Sequence, residues 1–289
     1  MFIDFFVNLI LIVFFAVSGI PTTMNNNADI IALLPADSEK IVAADKAAVL
    51  SEDGRFLLFN KKADEPQPIA SITKLMTALV FLDTKPNWSA TYQITAADNI
   101  EGGKLHLFSG DTLNLKDLFL TSLIASDNGA TMALVHASGL SEEAFVLKMN
   151  EKAKALGLAN SFFSEPIGLS DKDVSTAREV ALLAKEALND PDISNAVKMS
   201  EYRFQTLEGR EKFIESTDYL LFDSATNEFT PLGGKTGYTD KAGYCFVGRF
   251  QGPRGEDLIA AVLNSPGKNE RFKESKQIIN WVFENYLKK

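Results

Sequence analysis

The 289-residue chain holds one cysteine, Cys245, and two histidines, His106 and His136. A single thiol excludes an intramolecular disulfide, so the fold must rest on its apolar core. Cys245 stands in the apolar run Gly243 to Val247, which reads as a strand and makes it a buried structural thiol. Neither histidine has a second Cys or His at ligand spacing, so no metal or other cofactor is expected. His106, in a Gly-containing stretch, and His136, in an apolar helical run, read as structural or incidental. Dense Lys/Arg clusters are missing too. With a net charge of −9 and both signs scattered throughout, the chain is not built to bind nucleic acid. No basic residue precedes Lys40.

What is present at the N-terminus is apolar. Phe5 to Ile20 is almost wholly apolar, interrupted by Asn8, and is followed by Pro21 and the polar run Thr22 to Asn27. A run this short suits a signal-peptide core better than a membrane span, and Ala16-Val17-Ser18 offers a small-residue cleavage pattern. The lack of Lys or Arg before it leaves an uncleaved anchor as the alternative. Residues 1–24 are therefore expected to be a signal peptide or N-terminal membrane anchor, 25–40 a linker and 41–289 the folded body. The protein is expected outside the cytoplasm, secreted or tethered, with membrane contact only through this segment.

The whole chain is 46% hydrophobic and 23% charged, ordinary for a globular protein. Ala47–Leu50 and Arg55–Phe59 flank Asp53-Gly54 and read as a hairpin. From Ala70 to Leu82 the period becomes helical, with Ile72, Leu75, Met76, Leu79 and Val80 on one stripe. Residues 96–188 are mostly helical, with helices at 115–125, 129–137, 141–156 and 177–188. Strands return at 201–206, 211–215, 233–238, 243–250 and 258–263, and an amphipathic helix at 270–286 closes the chain. Strands first and last with helices between imply α+β: an antiparallel sheet flanked by helices, with a mostly helical insertion.

Three short motifs fall on these elements: Ser71-Ile72-Thr73-Lys74, Ser126-Asp127-Asn128 and Lys235-Thr236-Gly237. Ser-x-x-Lys alone is uninformative, since Ser265-Pro266-Gly267-Lys268 also matches. Only Ser71 begins a helix, where a spacing of three puts Lys74 on the same face and free backbone N–H groups lie near the hydroxyl. A serine needs a base to take its proton, and lysine serves if burial or a second cation lowers its pKa. Lys235 is a candidate for that cation, on a strand after Gly233-Gly234, where ligands approach closely. Thr236 adds a hydroxyl, Gly237 leaves room beside the strand edge, and Ser126 and Asn128 occupy a loop between helices.

Together these segments resemble the serine-type D-alanyl-D-alanine carboxypeptidases, the low-molecular-mass penicillin-binding proteins. The likeness runs from about Ala47 to the C-terminus. It includes Pro68 to Thr77, Leu123 to Asn128, Ser175-Thr176-Ala177-Arg178 and Lys235 to Thr239. The resemblance implies a β-lactamase/D,D-peptidase-like fold and a hydrolase that trims peptidoglycan stem peptides ending in D-Ala-D-Ala. In that role Ser71 attacks, Lys74 takes its proton, Ser126 relays a proton to the departing D-alanine and Asn128 orients Lys74 and the substrate. Lys235 and Thr236 hold the terminal carboxylate beside Gly237, and the N–H groups of Ser71 and Tyr238 form the oxyanion hole. β-Lactams would acylate Ser71. Alternatives on the same scaffold are a D,D-endopeptidase acting on cross-links, a class A-like β-lactamase and a catalytically idle peptidoglycan-binding protein.

Three departures from the family pattern matter. The second motif has Asp127 where carboxypeptidases more often have Gly. Glu165-Pro166-Ile167-Gly168-Leu169 replaces Asn with Glu165, a candidate for activating a deacylating water. Asp218, in Ser216-Thr217-Asp218, would bring a negative charge near the carboxylate site. The small C-terminal β domain of many relatives is not expected here.

Overall fold

In the computed structural model, which describes Ile30–Ile31 and residues 40–100, 102–103, 105–223 and 229–287, the Asp-Gly hairpin opens the body. The chain divides into two units, residues 1–30 and 31–289. The expected leader and nearly all of the expected linker lie outside the described residues, and the second unit holds the sheet and the helices. Among the described residues no helix is long and apolar enough to cross a membrane.

Strands β1 (Lys46–Ser51) and β2 (Phe56–Lys61) pair antiparallel about the expected turn. After the short β3 (Gln67–Pro68), a 3₁₀ turn, Ala70–Ile72, runs straight into α1 (Thr73–Asp83). Every residue of α1 from Thr73 to Phe81 is buried, so the helix is central and not striped as its periodicity suggested.

The insertion begins with a short hairpin, β4 (Thr91–Gln93) and β5 (Thr112–Asn114). It continues through α2 (Leu115–Ile124), α3 (Asn128–Ala137) and α4 (Glu142–Ala155). Then β6 (Val174–Ser175) pairs with β3, and α5 (Ala177–Asn189) and α6 (Pro191–Val197) follow. Asn114, Asp127, Ser141, Thr176 and Asp190 each cap a helix by accepting a backbone N–H, which is why the helices start where they do. Helix α6 is absent from the sequence reading; it opens on Pro191, whose missing N–H costs nothing at a helix's first position.

The late strands do not all join one sheet. β7 (Glu201–Gln205) and β8 (Glu211–Glu215) form a separate two-stranded hairpin, a correction to the expectation of a single sheet. β9 (Thr230–Thr239), β10 (Gly243–Gln251) and β11 (Asp257–Ser265) complete the main sheet. Its long strands run in the order β2-β1-β11-β10-β9, each neighbouring pair antiparallel, so β9 lies at an edge. The first hairpin thus pairs with the last strand and the helical insertion lies between, as α+β requires.

Helix α7 (Glu270–Val282) covers one face of the sheet in a cluster with Val49, Phe59, Val262 and Ile279. A five-residue π-helical turn, Phe283–Leu287, follows where a continuous helix was expected. The other face joins the insertion in a larger cluster that includes Ala48, Leu75, Phe119, Val180 and Ile259. Cys245 is fully buried on β10, and burial pushes its thiol up to about 11.

Candidate active site

The backbone around Ser71 is held from three sides. Ala70 sits in the left-handed region at φ +49°, unusual for a residue with a side chain. A Cβ on Gly168 would stand 2.1 Å from the Ala70 carbonyl oxygen, and one on Gly237 would stand 2.6 Å from that of Ile69. Two glycines therefore let the 164–170 loop and the edge strand β9 close on the nucleophile turn. Asp173 secures the third side. Its carbonyl accepts the Ile69 N–H at 3.1 Å, and its carboxylate accepts Thr73 Oγ1 at 3.3 Å and both Ser164 N and Oγ, at 2.7 and 2.6 Å. Burial pushes that carboxyl up to about 6.

Lys74, one turn on, is completely buried, and its Nζ donates to Ser71 Oγ at 3.0 Å, Asn128 Oδ1 at 2.8 Å and the Ile167 carbonyl at 2.7 Å. Burial lowers it to about 8, against the opposing pull of Glu165, Asp127 and Asp173. An amine so placed, once deprotonated, is a base within reach of the serine proton.

The second motif fills the turn between α2 and α3. Ser126 is at φ +57°, which aims its Oγ at Lys235 Nζ, 2.6 Å away. Asp127 caps α3 by accepting the Ala130 N–H at 2.8 Å. Asn128 is the first residue of α3, not a loop residue as expected, and its Nδ2 donates to the Gly102 carbonyl at 2.5 Å.

Lys235 is as deeply buried as Lys74 and also donates to its neighbour's carbonyl, Thr236 O, at 3.0 Å. Burial holds it well below the usual lysine value, with the charges of Lys74 and Arg271 adding to the effect. Thr236 Oγ1 donates to Thr217 Oγ1 at 2.7 Å, and the Thr217 N–H donates to Ile124 O at 3.1 Å, tying sheet to insertion. Arg271 reaches from α7 to donate to the carbonyls of Gly237 and Cys245 at 3.1 and 3.3 Å. Tyr238 is half exposed, stacked on Tyr244 with centroids 4.4 Å apart, and its hydroxyl donates to Asp240 at 3.0 Å.

These groups meet at one cleft of about 920 Å³. Ser71, Ser126, Asn128, Thr236, Gly237 and Tyr238 line it, with Lys74 and Lys235 bonded to the two serines from beneath. Glu165 and Asp218 are not among the lining residues. The Glu165 carboxylate accepts the N–H groups of Ile167, Leu169 and Ser170 at 2.6, 2.5 and 3.1 Å, so it shapes its own loop. Asp218 is buried at the start of the 3₁₀ turn Tyr219–Phe222, with Oδ1 accepting the Leu220 N–H at 3.0 Å. Burial pushes its carboxyl up to about 7, although Arg271 and Lys235 pull the other way.

Asp173, Thr217, Arg271 and the Ile167 carbonyl belong to the site and were not picked out from the sequence. Arg271 left one trace, a cation among the apolar positions of an amphipathic helix. Asp173 left none, because its role depends on Thr73, a hundred residues away.

Residues 35–267 match the family described as D-alanyl-D-alanine carboxypeptidase. The chain belongs to this family. Among curated members it is 37% identical over 198 residues to the D-alanyl-D-alanine endopeptidase of Haemophilus influenzae, covering 66% of this chain and 65% of that protein. It is 30% identical over 258 residues to the D-alanyl-D-alanine carboxypeptidase DacF of Bacillus subtilis, covering 86% and 64%. The match thus spans just under two thirds of those relatives' lengths. Among solved structures it is similar to the Streptomyces K15 DD-transpeptidase, with a TM-score of 0.78, 27% identity and coverage of 84% and 98% of the two chains. It is similar also to penicillin-binding protein D2 of Listeria monocytogenes in its cefotaxime-bound form, with a TM-score of 0.71, 30% identity and the same coverage.

Proposed function

We propose that this family member is an exported serine D,D-carboxypeptidase that removes the terminal D-alanine from peptidoglycan stem peptides through a Ser71 acyl-enzyme, and that penicillins acylate the same serine. The observation that carries this reading is the 3.0 Å contact between Ser71 Oγ and a fully buried Lys74. In the proposed reaction Lys74, as free amine, takes the Ser71 proton while Oγ attacks the carbonyl between the two D-alanines. The developing oxyanion faces the N–H groups of Ser71 and Tyr238. Lys235, Thr236 and Arg271 receive the terminal carboxylate. Ser126 passes a proton to the nitrogen of the departing D-alanine as the C–N bond breaks. Water then attacks the ester, gives its proton to the site and releases Ser71.

A second reading, D,D-endopeptidase on cross-links, uses the same groups. It is favoured by the relatives, since similar proteins from Haemophilus influenzae, Pseudomonas aeruginosa and Escherichia coli carry that name. The deciding experiment labels the full-length chain with a fluorescent penicillin and follows adduct mass over time, beside product analysis on stem pentapeptide. A stable adduct on Ser71 with release of D-alanine is the expected result. Fast release of hydrolysed drug would instead make the protein a β-lactamase. No adduct and no turnover would leave an idle scaffold.

A further inference from the structure

His106 and Asp127 form a side-chain pair that the proposed reaction does not use. His106 lines the cleft, while the Asp127 carboxylate behind it is almost wholly buried. Asp127 Oδ2 faces His106 Nδ1 at 3.0 Å and accepts the His106 backbone N–H at 3.1 Å, and Oδ1 caps α3. A carboxylate accepts and does not donate, so Nδ1 carries the hydrogen, and in the neutral imidazole the Nε2 lone pair is left for another partner. Among the described residues Nε2 has no hydrogen-bond partner. The imidazole is 8% exposed and His106 is among the residues that line the cleft.

Two links tie this residue to the groups proposed to handle the leaving amine and the terminal carboxylate. Asp127 directly follows Ser126, the group proposed to protonate the departing nitrogen. From the other direction, Lys212 on β8 donates to the His106 carbonyl at 3.0 Å. That strand leads through Ser216 to Thr217, the partner of Thr236 in the carboxylate pocket. A single D-alanine ends at that carboxylate. The leaving strand of a cross-linked peptide does not end there: it continues past the scissile bond and brings further peptide N–H groups.

We propose that His106, oriented by Asp127, is a specificity residue for cross-linked substrate, its Nε2 accepting a peptide N–H of the leaving strand. The inference rests on the D,D-peptidase reading and extends it to substrate class. It also gives Asp127 a use that the Gly more frequent at this position in carboxypeptidases could not serve.

The test compares kcat/KM for a cross-linked muropeptide dimer and for the stem pentapeptide in the wild type, His106→Ala and His106→Gln. Penicillin labelling of each variant checks that Ser71 is still assembled. Loss of one hydrogen bond should lower the dimer-to-pentapeptide ratio about five- to tenfold in His106→Ala, mostly through KM. Gln, whose amide oxygen also accepts, should recover part of it. An unchanged ratio would overturn the inference and leave His106 as a wall residue only. So would a wild type that trims pentapeptide and ignores the dimer, although the carboxypeptidase reading would survive. Failure to label Ser71 or turn over either substrate would remove the underlying reading instead.

Discussion

Lys74 shows how much of this site depends on taking a charge out of water. Its ammonium makes three hydrogen bonds, yet burial still brings the group down to about 8. The functional consequence comes from the sign of that shift. Only the free amine can accept the Ser71 proton, so acylation by a fluorescent penicillin should rise with pH through about 8 and level off above it. A profile flat from about pH 6 to 10 would remove Lys74 as the base. Lys74→Arg keeps the charge but cannot give up its proton at these pH values, and should acylate slower by about 10²–10⁴ across the whole range. The pairing of Ser71 with Lys74 was legible at this scale because both lie on one helical turn. Arg271 and Asp173 were not. Their side chains act through contacts with Gly237 and Thr73, and nothing local to either residue marks those partners.

At the level of elements, the site is a closure of three segments on the 3₁₀ turn that carries Ser71. Apolar period and helix-forming composition made α2 to α5 readable, since both are local to the segment. The 164–170 loop was not readable as structure, because it has no period and is shaped by Glu165 binding its own backbone. This geometry separates two roles for that carboxylate. If it holds the loop, Glu165→Ala should loosen the turn that presents the Ile167 carbonyl to Lys74, slow acylation on the order of tenfold and cost about 1–3 kcal/mol of stability. Loss of three accepted N–H bonds would cause both effects. If Glu165 activated the deacylating water, acylation would be spared and the adduct would persist far longer. Single-turnover labelling and a release assay on the same variant distinguish these outcomes.

For the whole molecule, the sequence pattern sets a helical subdomain at about 96–188 within one folded body, 41–289, and leaves open whether that body unfolds as one cooperative unit or two. The packing argues for one. A single apolar cluster takes in Leu118, Phe119 and Leu134 of the insertion together with Ala48, Val247 and Ile259 of the sheet, and α5 packs on β1 and β11. The active site adds polar ties across the same boundary, Lys235 to Ser126 directly and Thr236 through Thr217 to the Ile124 carbonyl. Exposing the apolar face that the two parts share would cost about 25 cal/mol for every Å² uncovered, so neither part should persist once the other is lost. Heat unfolding of the full-length chain should therefore give one transition, with equal calorimetric and van 't Hoff enthalpies. Loss of helical signal and loss of penicillin labelling should share its midpoint. Two separated transitions, with labelling lost in the first, would mean that the insertion folds as a unit of its own and that the cleft is a contact between domains.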